Sequence, residues 1–155
     1  MSVKYQPDGY HSVTSYLIVN DAAGAIDFYQ RAFNAEELMR LPGPGGKIGH
    51  AEIRIGDSPI MLADEFPEMG AKSPQSLGGS PITLMLYVEN VDQLFQQAVD
   101  AGAKVLRPIK DQFYGDRSGT VEDPFGHTWT ISTHTEDVPP DEIQRRMAAM
   151  APPAS

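Results

Sequence analysis

One order of elements occurs twice along this chain, and that repetition limits its possible folds more than any other feature. In the first half, Val13 to Val19 is rich in β-branched and aromatic residues and reads as a strand. Asn20-Asp21 can cap a helix, and Ala25, Ile26, Phe28, Tyr29, Ala32 and Phe33 then recur at helical spacing between Ala22 and Phe33. Asn34 stands where a left-handed C-terminal cap belongs. Glu36 to Leu41 reads as a short strand, followed by the turn cluster Pro42-Gly-Pro-Gly-Gly46. Ile48 to Ile55 alternates as a strand and returns through Gly56-Asp57-Ser58 into Ile60 to Ala63.

The second half repeats the order. Ile82 to Val88 is a strand, Val91 to Ala101 a helix stopped by Gly102, and Lys104 to Arg107 a short strand. Gln112 to Gly115 is a loop. Ser118 to Glu122 and His127 to Thr133 form a hairpin around Asp123-Pro-Phe-Gly126, whose Asp, Pro and Gly suit a type I turn. The junctions match as well: Val19-Asn20-Asp21 parallels Val88-Glu89-Asn90. A four-stranded unit with one helix covers one sheet face only, so two units should pair and close a shared cavity. The fold class expected is α+β, with two βαβββ modules forming a curved sheet around a cavity. The modules span residues 1–65 and 82–137. A Pro- and Gly-containing linker, 66–81, joins them, and 138–155 forms a C-terminal helix and tail with an apolar stripe of Ile143, Met147 and Met150 that docks on the body or on a sister subunit.

Composition narrows the function. The 155 residues carry a formal charge of -9, which repels a phosphate backbone, and Arg145-Arg146 is too small a basic cluster to offset it. Nucleic acid and anionic membranes are therefore not expected partners. With no cysteine, thiolate metal sites and cysteine nucleophiles are excluded. The first residues carry no apolar signal segment and no stretch is long enough to span a membrane, so a cytoplasmic location is expected.

The repeat, the Ala25-Ile-Asp-Phe-Tyr29 helix, the Gly78-Gly79 linker and the Asp123-Pro-Phe-Gly-His127 turn together resemble the vicinal oxygen chelate superfamily, and within it the PhnB-like branch grouped with glyoxalase and bleomycin-resistance proteins. The resemblance runs from about Val13 to His134. It implies paired βαβββ modules, commonly in a homodimer, and a small-molecule pocket. It also implies a divalent metal held by His and Glu side chains on the concave sheet face.

Strand alternation assigns faces independently of the resemblance. The apolar set Ala51, Ile53 and Ile55 belongs under a helix, leaving His50, Glu52 and Arg54 opposite. By the same rule Val13, Leu17 and Val19, then Ile82, Leu84, Leu86 and Val88, then Trp129 and Ile131 face the helices. Thr14, Tyr16, Ile18, Thr83, Met85, Tyr87, Thr128, Thr130, Ser132 and His134 face the cavity. The superfamily's metal-ligand positions fall on Thr14, His50, Thr83 and Thr130. Threonine hydroxyls are poor ligands for a transition metal, so no metal and no cofactor is expected.

The expected ligand pocket comprises Thr14, Tyr16, His50, Glu52, Thr83, Met85, Tyr114, Arg117, Thr130 and His134. His50 and Glu52 are the candidates for proton chemistry, because a carboxylate beside an imidazole orients it and raises its basicity. Arg54 could neutralise Glu52. Arg117 offers a forked donor to a ligand carboxylate or phosphate, against which stands a surface pair with Asp116 or Glu122. The Pro42-to-Lys47 turn fails as a phosphate loop, since Ile48 stands where Ser or Thr is needed. The leading expectation is binding of a small organic molecule without the usual metal, by sequestration or metal-independent chemistry. The alternatives are a metal-dependent glyoxalase-like lyase, isomerase or dioxygenase using His50, Glu52 and His134, and an interaction domain with a vestigial pocket.

Overall fold

A computed structural model describes residues 2–150. It contains two four-stranded mixed sheets of the same topology, each with one long helix. The first comprises β1 (Tyr16–Val19), α1 (Ala22–Phe33), β2 (Glu36–Pro42), β3 (Ile48–Ile55) and β4 (Ser58–Asp64), in strand order β1-β4-β3-β2. A one-turn helix, α2 (Pro74–Leu77), lies in the segment between the sheets. The second comprises β5 (Thr83–Tyr87), α3 (Val91–Ala101), β6 (Lys104–Asp111), β7 (Asp116–Glu122) and β8 (Thr128–His134), in order β5-β8-β7-β6. In both, the first strand pairs in parallel with the last, and the other pairs are antiparallel. The helix α4 (Pro140–Met150) follows.

Local chemistry sets the helix limits. The Asp21 side chain accepts from the Gly24 amide at 3.0 Å and starts α1, and Asn34 ends it in the left-handed region at φ 58°. Asn90 starts α3 by accepting from the Gln93 amide at 3.1 Å. Ala51, Ile53, Ile55 and Leu62 from the first sheet and Val121, Trp129 and Ile131 from the second are buried, and they join α1 and α3 in one continuous apolar core. The two helices also touch each other directly: Gln97 donates to the carbonyls of Arg31 and Ala32 at 2.9 and 3.2 Å. The modules therefore share one core through their helix-covered faces.

Several limits differ from the sequence reading. β1 begins at Tyr16, so Val13 is exposed rather than tucked under a helix, and Ile82 precedes β5 and is exposed for the same reason. β6 runs on to Asp111 through Pro108, which an edge strand tolerates at an irregularity: the pairing shifts between Arg107 and Lys110. β7 begins two residues earlier than expected, at Asp116, which brings a carboxylate onto the sheet. No residue of the α4 stripe is fully buried: Ile143 is half-buried, and Met147 and Met150 stay exposed. Polar contacts also hold the tail, with Arg146 donating to the Phe113 carbonyl at 3.0 Å.

Candidate functional site

The faces away from the helices carry most of the chemistry-bearing side chains. On the first sheet, cross-strand register aligns Tyr16, Met61, Glu52 and Met39 in one row. His50 lies two residues before Glu52 on the same face. Its Nε2 lies 2.8 Å from Glu52 Oε2, and its Nδ1 lies 2.8 Å from the Tyr16 hydroxyl. A carboxylate only accepts, so Nε2 carries the proton; in the neutral ring Nδ1 then accepts from Tyr16. The Tyr10 hydroxyl donates to the other Glu52 oxygen. These bonds, first Tyr10 and then His50, hold the Glu52 pKa below the ordinary value. Burial, followed by the Glu52 contact, pushes Tyr10 up to about 12.

On the second sheet the register aligns Met85, Thr130, Thr120 and Arg107, and beside them Tyr87, Ser132, Ser118 and Lys110. A cavity of about 900 Å³ lies over this face, lined by Thr83, Met85, Thr130 and Tyr114 together with Arg107 and Lys110. At one end the buried Asp116 accepts from Tyr87 at 2.7 Å and from His134 Nδ1 at 2.8 Å. The other ring nitrogen of His134 meets Asp137 at 2.7 Å. Both nitrogens face carboxylates, so both carry protons. The His134 pKa is accordingly raised, first by Asp116 and then by Asp137.

That shift has a sign. A folded-state pKa above the unfolded 6.5 contributes stability that is fully present below pH 6.5 and is lost as pH rises through the folded value. Replacing His134 with Gln should remove that slope, and comparing urea midpoints of the two proteins from pH 5 to 9 measures it. An unchanged slope would show that the imidazolium contributes nothing to stability.

The structure thus separates the expected pocket residues into two groups. Tyr16, His50 and Glu52 share the first sheet; Thr83, Met85 and Thr130 share the second, with His134 at its end and Tyr114 on the turn between β6 and β7. The cavity over the second sheet is lined by Thr83, Met85, Tyr114 and Thr130 but by none of Tyr16, His50 and Glu52. Thr14 precedes β1 and lines a small seam of about 160 Å³ with His11, Leu84 and Trp129 instead. Arg117 turns to the helix side, where it pairs with Asp92 at 2.8 Å and Asp111 at 3.2 Å, because its odd position on β7 points away from Asp116 and Ser118. Neither Asp116 nor Glu122 is its partner. Arg54 reaches across to Glu36 at 2.5 Å and leaves Glu52 to Tyr10 and His50. Sequence reasoning missed Tyr10, 42 residues from its partner, and Asp116, which earlier onset of β7 would have placed beside Tyr87 and His134.

The superfamily's metal fits these residues poorly. Both nitrogens of His50 are engaged in hydrogen bonds, and the Thr130 hydroxyl is paired with Thr120 at 2.9 Å. Thr14 lies in the seam rather than beside His50. Among the described residues no three His, Asp or Glu side chains are grouped so as to hold a metal ion. No helix among them is long and apolar enough to cross a membrane.

Comparison with known proteins agrees with this architecture. A family model described as the Glyoxalase/Bleomycin resistance protein/Dioxygenase superfamily matches residues 9–131. Uncharacterized protein Rv0887c of Mycobacterium tuberculosis is 47% identical over 152 residues, covering 96% of this chain and 87% of that protein. Among solved structures, TioX from Micromonospora sp. ML1 is 25% identical with a TM-score of 0.63, over 83% of this chain and 100% of that one. An Arabidopsis thaliana gene product is 25% identical with a TM-score of 0.64, over 79% and 98%. The chain belongs to the Glyoxalase/Bleomycin resistance protein/Dioxygenase superfamily.

Proposed function

We propose that the protein binds a small organic molecule, partly apolar and partly polar, on the open faces of its sheets, and that it does so without a divalent metal. The observation that carries this reading is the second-sheet cavity. Its volume of about 900 Å³ lies within the range of small-molecule sites, and its lining mixes the Met85 thioether and Tyr114 ring with threonine hydroxyls and two cations. Arg107 and Lys110 suit an anionic group on the ligand, and Met85 and Tyr114 suit an apolar or aromatic body.

Each open face also leaves large apolar side chains in water, Tyr16 at 46% and Met85 at 48% exposed. A homodimer that sets the first sheet of one chain against the second sheet of the other would cover both and join the two residue groups around one ligand. That arrangement accounts for the separation of His50 and Glu52 from Thr83 and Thr130 within one chain. The protein so described works in the cytoplasm, with the small molecule and a second copy of itself as partners.

Thermal melting in the presence of aromatic carboxylates tests the reading. A ligand at about a hundred times its dissociation constant stabilises by about 2.7 kcal/mol, which moves a domain of this size by several degrees. The Met85→Glu variant should lose that shift, because it places a carboxylate against the ligand. An equal shift in that variant would remove the cavity from the account.

A further inference from the structure

We propose that Tyr16, His50 and Glu52 form a proton relay that makes the Tyr16 hydroxyl a nucleophile toward activated acyl compounds. The inference rests on reading the first sheet's open face as a ligand face and adds a chemistry to it. The geometry is that of a hydroxyl, an imidazole and a carboxylate in series, with both links at 2.8 Å. Such a series is recognised by its roles and distances rather than by fold.

Each member is held for its part. Glu52 takes His50 on one oxygen and Tyr10 on the other, so its orientation is fixed from both sides. His50 therefore keeps its proton on Nε2 and offers Nδ1 to Tyr16. The Tyr16 ring lies 5.5 Å from the imidazole, centroid to centroid, and is open enough for a reagent to reach it. Burial and the Glu52 charge raise the Tyr16 pKa, so the phenol is protonated at rest. It must lose its proton as the new bond forms, and that is the task of an adjacent base.

The step balances. Tyr16 Oη bonds to the ester carbonyl carbon while its proton passes to His50 Nδ1, and Glu52 stabilises the imidazolium. The carbon–oxygen bond to the leaving alcohol or phenol then breaks. The leaving oxygen takes up the proton from His50, and the acyl group remains on Tyr16.

The second module supplies an internal control. Tyr87 is also half exposed, but its hydroxyl donates straight to the Asp116 carboxylate with no imidazole between. Its proton is held by an acceptor that does not pass it on to the departing group in this way. Tyr5 is almost fully exposed and reports the reactivity of a free phenol.

The test uses the intact protein and p-nitrophenyl acetate, with nitrophenolate release followed in time and acetylated residues located by peptide mass. The relay predicts about one fast acetylation per chain, on Tyr16, ahead of Tyr5 and Tyr87. His50→Gln should slow labelling of Tyr16 on the order of a hundredfold while leaving Tyr5 unchanged, and an unaltered far-UV circular dichroism spectrum reports that the variant is folded. Tyr16→Phe should abolish the fast phase. Labelling of Tyr16 no faster than Tyr5, or at the same rate in His50→Gln, overturns the relay. A protein that keeps its ligand-induced melting shift but shows no fast Tyr16 labelling loses the relay alone.

Discussion

Replacing Asp123 with alanine should destabilise the protein by about 3–5 kcal/mol, measured as the loss in urea-unfolding free energy. The sequence marks Asp123 as the first residue of a turn, and its Oδ1 does accept from the Phe125 and His127 amides at 2.9 and 3.0 Å. The side chain does more than close that turn. It is only 2% exposed, and its Oδ2 also accepts from Trp129 Nε1 at 2.9 Å and from the Tyr29 hydroxyl. Tyr29 belongs to α1 of the first module, so this carboxylate ties the modules together. Burial, then the Asp123 charge, drives the Tyr29 pKa well above its ordinary value, so the phenol remains a donor. Alanine would strand two buried side-chain donors and two amides, and the net bonds lost are worth more when a charged acceptor is removed. A loss below about 1 kcal/mol would mean that water or rearrangement satisfies those donors, and that the carboxylate is not a structural node.

Trp129→Ala should cost a similar amount, about 3–5 kcal/mol, and should weaken both modules in a single transition. The indole is 2% exposed and lies 4.7 Å from the Phe33 ring and 5.4 Å from the Tyr29 ring, centroid to centroid. Those partners stand on α1, while Trp129 stands on β8. Removing it empties the place where the modules meet, and little nearby can collapse into the space because α1 and α3 are already in contact. Far-UV circular dichroism in urea should give one transition at a lower midpoint. Two separated transitions, with the first module unaffected, would contradict a shared core.

How much of this was legible in the sequence depends on the range of the interaction concerned. The helices were readable because each limit is local: Asp21, Asn34 and Asn90 act within five residues of their own position. The inward set Ala51, Ile53 and Ile55 was readable because alternation on a half-buried strand has a period of two. That same period placed Tyr16 with His50 and Glu52, and Met85 with Thr130. It failed at Val13 and Ile82, where alternation was extended past the true strand starts. Alternation was not carried back to Arg117, which was expected in the pocket although it lies on β7 and its guanidinium reaches Asp92 on α3. Tyr10 carried no signal at all, since nothing near it in the chain points to a carboxylate on β3. The separation of the two open faces was equally invisible. It arises from packing of α1 on α3, which no local pattern encodes.

A fully engaged imidazole on the first sheet and a paired threonine hydroxyl on the second stand at the positions where the resemblance implies metal ligands. Metal analysis of protein purified without chelator, with melting recorded in added nickel, zinc, manganese and iron(II), tests the resulting lack of a metal site most directly. The account predicts far less than one metal per chain and no rise in melting temperature with any of the four ions. Near-stoichiometric metal that disappears in the His50→Ala variant would contradict it.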